Sequence, residues 1–146
     1  MIKDFLSAKG VLSIVVRDEN GDLKQQYDAT NLVVDAGLAY IASRMKDTTK
    51  TAMSHMAIGS GSTAPAAGNT SLGSQLGRVA LTSTTVTANS VAYVASFPAG
   101  TGTGAVTEAG IFNASSGGDM LCRTTFDVIN KAAGDSMTIT WTVTVE

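Results

Sequence analysis

His55 is the only histidine and Cys122 the only cysteine in the 146 residues, so the parts for a catalytic or metal centre are few. A Ser-His-Asp device needs an imidazole to take the nucleophile's proton, and only His55 could serve. Its neighbours Ser54 and Met56 form no nucleophile elbow, and G-x-S-x-G occurs nowhere in the chain. A structural zinc ion wants four nitrogen or sulfur ligands, more than one histidine and one cysteine supply within a subunit. Cys122 alternates with Met120 and Thr124 and reads as a small core residue. Carboxylates are scarce, which makes Glu108 and Asp119 the candidates for a glycosidase pair. With aromatics at 5%, however, sugar-stacking platforms are poorly supplied.

Two loops have phosphate or calcium overtones that fail on detail. Residues 59–77 carry Gly59, Gly61, Gly68, Gly73 and Gly77 among Ser, Thr, Ala and Pro65. A phosphate loop also needs Gly-Lys, and none follows; the nearest base is Arg78. Asp18-Glu19-Asn20-Gly21-Asp22 begins like a calcium loop. Its sixth residue is Leu23 rather than glycine and its twelfth is Ala29 rather than glutamate. No catalytic residue, cofactor or metal is expected, and the chain is read as not an enzyme.

Hydrophobic residues make up 44% of the chain and charged ones 15%, against about 25% charged in ordinary domains. Disorder needs the opposite balance. A lone cysteine cannot build a disulfide framework within its chain. The net charge is −2 and the basic residues are scattered, which argues against nucleic acid. No apolar run reaches the ~18 residues of a membrane span. The first residues, Met1-Ile2-Lys3-Asp4-Phe5-Leu6, lack the apolar stretch and cleavage site of a signal peptide, so the protein is expected to be made and kept in a cytoplasm until it is assembled into something larger.

These residues must be positioned by strands. Residues 1–10 read as a short arm whose Ile2, Phe5 and Leu6 cannot bury one another. The arm is followed by a single domain, 11–146. Residues 11–17 and 23–28 flank Asn20-Gly21, a strong hairpin signal. Further strands are expected at 55–59, 78–86, 91–97, 105–113 and 120–129, and 70–76 could hold a helical turn. In the last strand Met137, Ile139, Trp141, Val143 and Val145 alternate strictly with Thr138, Thr140, Thr142 and Thr144, placing one row in the core. One helix is expected at 36–46, N-capped by Asp35, with Leu38, Ile41, Ala42 and Met45 as its buried stripe and Arg44 and Lys46 in its last turn. The sum is a mainly β, jelly-roll-like or Greek-key sandwich of about eight strands with one α-helix.

Five pieces occur in an order that resembles small virion structural proteins of tailed bacteriophages. They are Asn31-Leu32-Val33-Val34-Asp35-Ala36-Gly37-Leu38; His55-Met56-Ala57-Ile58-Gly59-Ser60-Gly61-Ser62-Thr63; Thr70-Ser71-Leu72 with Gly77-Arg78; Val106 to Asn113; and Leu121 to Phe126, before the threonine-alternating strand. The resemblance implies a sandwich that binds other virion subunits and carries no catalytic residues. It also implies that Glu108 is held by a turn or partner, with Arg78 or Arg123 as its mate. Capsid decoration (cement) proteins are similar. The first expectation is therefore a homo-oligomer on the outer capsid surface that binds and stabilises the major capsid protein, with no nucleic acid or membrane as partner. A chain of this length without internal repeats favours that over a fibre shaft. The arm and the glycine-rich loop would be the grip, through Ile2, Phe5, Leu6, Ser60, Thr63 and Pro65. The alternative is a tail, baseplate or fibre-adaptor protein. A third possibility is a small carbohydrate-binding module, which would need its aromatics, spread over Tyr27, Tyr40, Tyr93 and Trp141, to gather on one exposed surface.

Overall fold

The computed structural model describes residues 7–46 and 49–146. Ten strands and one helix follow in the order β1 (Ala8–Arg17), β2 (Leu23–Thr30), β3 (Leu32–Val33), α1 (Asp35–Ser43), β4 (His55–Gly59), β5 (Gln75–Ala80), β6 (Ser83–Thr87), β7 (Ser90–Phe97), β8 (Gly104–Phe112), β9 (Met120–Lys131) and β10 (Ser136–Val145). They form two antiparallel five-stranded sheets, β2-β1-β10-β7-β6 and β3-β9-β8-β4-β5. This is the expected β-sandwich, with more strands than expected.

The extra strands have two sources. The run expected as one strand at 78–86 is divided: β5 belongs to the second sheet and β6 to the first, and the chain changes sheets at Leu81-Thr82. Thr82 N–H then donates to Val94 O at 2.7 Å as the chain enters its new sheet. Alternating apolar and hydroxyl residues satisfy either sheet, so periodicity alone does not reveal the switch. The second source is β3, whose two residues pair with Arg123 and Cys122. Ala8, Lys9 and Gly10, read as the end of the arm, belong to β1 and pair with the end of β10. Ile2, Phe5 and Leu6 lie outside the described residues.

Between the sheets lies one apolar core. β1 contributes Leu12, Ile14 and Val16; β7 contributes Ala95 and Phe97; β10 contributes Met137, Ile139 and Trp141, as its alternation requires. The second sheet answers with Met56, Ile58, Val106, Ile111 and Ile129. This sheet is also covered on its other face. Val34, Ala57, Leu72, Phe112 and Met120 make a smaller buried cluster beneath the glycine-rich loop and the start of α1. Two-sided cover explains why β4 from Met56 to Gly59 and β8 from Glu108 to Phe112 are buried without a break, where a strand with one wet face would alternate.

The helix departs from its expected form in three ways. It spans Asp35–Ser43, so Arg44 and Lys46 lie beyond its last turn. Its N-cap position is Val34, with no side-chain cap, and Asp35 is instead an acid in the first turn. Its buried residues are Gly37 and Tyr40, while Leu38 and Met45 are 46% and 82% exposed. The helix is turned by a close backbone approach: a Cβ on Gly37 would stand 2.0 Å from Leu121 O. Only glycine lets α1 sit that near β9, and the face bearing Gly37 is drawn inward at the expense of the Leu38 face. Gly37→Ala should therefore cost about 1–3 kcal/mol through displacement of the helix. Gly68→Ala, where nothing lies within 4 Å of the added carbon, should be nearly neutral. Paired urea titrations of the two variants check both values.

No described helix is long and apolar enough to cross a membrane.

Candidate functional site

Glu108 is completely buried on β8, directly opposite Gly59 of β4 and Thr125 of β9. Alternation along β8 sends Ala109 and Ile111 into the main core, and sends Gly110 and Phe112 to the face beneath the loop. Glu108 lies on that second face, where the loop 60–74 closes over it. Its carboxylate accepts backbone N–H bonds from Gly61 at 2.9 Å, Gly73 at 2.9 Å and Ser74 at 2.7 Å. Arg123, from the adjacent β9, donates through Nε at 3.1 Å and Nη2 at 2.8 Å. One carboxylate thus receives five donors, gathering both limbs of the loop and the neighbouring strand.

The rest of the loop is tied to the same centre. Arg123 Nη1 donates to Asn69 Oδ1 at 3.1 Å, and that oxygen also accepts from Ala66 N–H at 2.8 Å. Thr107 donates to Gly61 O at 2.8 Å, and Ser60 N–H to Ser74 O at 2.8 Å. Asp35 N–H at the helix start donates to Ala67 O at 2.8 Å. The glycines follow from this crowding. A Cβ on Gly59 or on Gly61 would lie 2.6 Å from Glu108 Oε1, inside the space the carboxylate fills. Leu72 seals the middle of the lid, 3.0 Å from where a Cβ on Gly110 would be.

Burial by itself would raise the Glu108 pKa. The N–H donors of Ser74 and Gly73, the Arg123 guanidinium and the N–H of Gly61 outweigh it and hold the carboxyl below the usual range. The Glu108 carboxylate and the Arg123 guanidinium are thus matched at 2.8 Å inside the lid.

The other sequence candidates are dispersed. His55 Nδ1 pairs with Ser54 Oγ at 2.7 Å at the start of β4. Asp119 lies in the turn beyond β8, ion-paired with Lys50 at 3.2 Å, so it does not face Glu108 as a glycosidase partner. Arg78 is not the mate of Glu108; Arg123 is. The Arg78 guanidinium stacks 3.8 Å over the Phe112 ring and donates to Ala114 O and Gly117 O, bracing the turn 113–119. Cys122 is fully buried and its thiol pKa is pushed up by burial. Among the described residues, no three of His, Cys, Asp and Glu gather as a metal site would require. Tyr40, Tyr93 and Trp141 are buried, which removes them as sugar platforms. Tyr27 packs against Phe126 with ring centroids 5.9 Å apart.

Residues 70–76 do not form a helical turn; bends at Ser71, Gly73 and Ser74 lead into β5, which begins at Gln75. Nor is the glycine-rich loop a slack connector, because its inner side is fastened throughout. Its outer side presents Ser60 and Thr63 exposed, with Pro65 half-buried. One sequence signal points to the clasp: a carboxylate embedded in an otherwise uncharged strand, Val106 to Phe112, which burial tolerates only where hydrogen-bond donors or a cation are gathered beside it.

The family model for the N-terminal part of phage tail-collar fibre proteins matches residues 24–145. The chain belongs to the phage tail-collar fibre N-terminal family. It is thus a bacteriophage virion structural protein, and tail-fibre families are of a structural, non-enzymatic kind. The match takes in β2 through β10, including Glu108, Arg123 and the whole loop they hold. Tail fibre fits this family better than capsid decoration, which corrects the first expectation drawn from the sequence. No curated protein and no solved structure matches the chain.

Proposed function

We propose that this tail-collar fibre domain is a non-enzymatic docking module of the phage tail, seated on a tail or baseplate protein. The observation that carries the reading is the tail-collar fibre match across residues 24–145. The clasped loop gives it a physical basis. A docking surface benefits from being ordered before contact, because ordering a loop on binding subtracts from affinity. Glu108 and Arg123 order this loop from beneath, leaving Ser60, Thr63 and Pro65 on its outer run as contact residues. A surface with few charges suits a lasting contact, since each unpaired charge buried against a partner would be costly.

Labelled antibody against this chain, imaged on intact virions, is expected to decorate the tail or its junction with the head. Label spread over the capsid shell would return the protein to the decoration class and overturn the tail reading.

A further inference from the structure

The apolar stripe of α1 borders a groove. Leu38, Ala42 and Met45 are exposed, and Ile41 beside them is half-buried against the main core. Together they form one wall of a narrow groove of about 110 Å³; the other wall is Ala8 and Val145, where β1 pairs with the end of β10. Among the described residues, no charged side chain lines it. Apolar residues at helical spacing mark a face that another element covers. The packing of α1 on β9 buries Gly37 and Tyr40 instead and leaves this stripe over.

The start of the chain stands at this groove. Ser7 lines it and is fixed by two backbone bonds to the end of β10: Ser7 N–H donates to Glu146 O at 2.6 Å, and Glu146 N–H to Ser7 O at 2.8 Å. The six residues before it, Met1-Ile2-Lys3-Asp4-Phe5-Leu6, include four apolar ones. The Cα of Leu6 is only ~3.8 Å from that of Ser7. Even-numbered positions of β1 face inward, Ala8 with Leu12, Ile14 and Val16. The same alternation taken one step back assigns Leu6 to the groove side.

We propose that residues 1–6 of the same chain occupy this groove, with Leu6 filling it between α1 and β1 and Ile2 and Phe5 shielding Leu38 and Met45. The groove has room for one apolar side chain and no charged partner for Lys3 or Asp4, which suits leucine. Attachment decides whose arm it is. A segment joined directly to the groove wall competes at a high effective concentration, which the arm of another molecule would have to exceed. On this assignment the arm grips its own helix rather than a neighbouring subunit.

Disulfide trapping in the full-length chain tests this, because two cysteines bridge only when their Cα atoms come within about 7 Å. Leu6→Cys is combined with Leu38→Cys in one variant and with Met45→Cys in another. The reference adds Leu23→Cys, exposed and paired with Arg17 at the far end of β1. Cys122 is completely buried and stays out of the exchange. Under mild oxidation at least one of the first two variants should close an intramolecular disulfide and run at monomer mass, while the reference stays open. A disulfide joining two chains would give the groove to the arm of another molecule and overturn the proposal. So would closure no better than the reference in both variants, the result if a different protein or nothing fills the groove. Should the cysteine variants fail to fold, hydrogen exchange on Leu6→Ala decides. Amides of α1 should then exchange about tenfold faster than in the wild type, since the helix loses the burial of a leucine side chain. Unchanged exchange would overturn the proposal. Both readouts come from the isolated protein, so neither depends on which virion component it meets.

Discussion

Glu108→Ala is expected to lower the unfolding free energy by about 3–5 kcal/mol, the range for a buried ion pair that loses one member. The Arg123 side chain is 3% exposed and would remain charged with no carboxylate beside it. The N–H groups of Gly61, Gly73 and Ser74 would lose their acceptor together, so the loop should loosen as a unit. Chemical denaturation measures the first effect. Hydrogen exchange at those three amides measures the second, and should speed up even under strongly native conditions. Glu108→Gln keeps the shape and one good acceptor but turns an NH2 toward donors, and should fall between wild type and alanine.

The same site gives a signed dependence on pH. The folded pKa of Glu108 lies below its unfolded value of about 4.3. Its contribution is therefore fully present above that value and is lost as pH falls through the folded pKa. Asp135 behaves likewise, held low by the Lys24 hydrogen bond and the Ala132 N–H. Stability should be level from neutral pH to about 5 and decline below it. In Glu108→Ala that acid slope should be shallower, with the Asp135 part remaining.

Trp141→Ala should cost a similar amount, about 3–5 kcal/mol, by a different mechanism. Trp141 is completely buried in the middle of β10, between Leu12 of β1 and Tyr93 of β7. Alanine would leave a cavity at the centre of the sandwich that strands paired on both sides cannot collapse to fill. The indole N–H has no acceptor among the described residues. Trp141→Phe removes that buried donor along with some volume, so its cost should be nearer about 1 kcal/mol. Thermal unfolding of both variants separates cavity formation from the loss of the polar group. An alanine variant as stable as the phenylalanine one would mean the core closes over the gap.

Much of the sandwich was legible because its signals are local. The period-two pattern of β10 identifies a strand with one buried face, and Asn20-Gly21 supplies the φ of +82° that a tight hairpin needs. The switch between β5 and β6 was not legible, since threonine-rich alternation is the same in either sheet. The helix misled for a related reason. Leu38, Ile41, Ala42 and Met45 form a genuine apolar stripe, but the rotation of α1 is governed by how near Gly37 comes to Leu121 O, a contact between segments far apart in the chain.

By itself, then, the sequence determined a mainly β domain poor in charge, with glycines gathered before β5 and a carboxylate embedded in an otherwise uncharged strand. Those follow from composition and spacing, which the folded state must respect. Only the tertiary structure decided that Gly61, Gly73, Ser74 and Arg123 converge on that carboxylate from separate elements. The reason is energetic. A buried charge is admissible only where all its donors arrive together, and their arrival depends on the pairing of β4, β8 and β9, which no local stretch of sequence encodes.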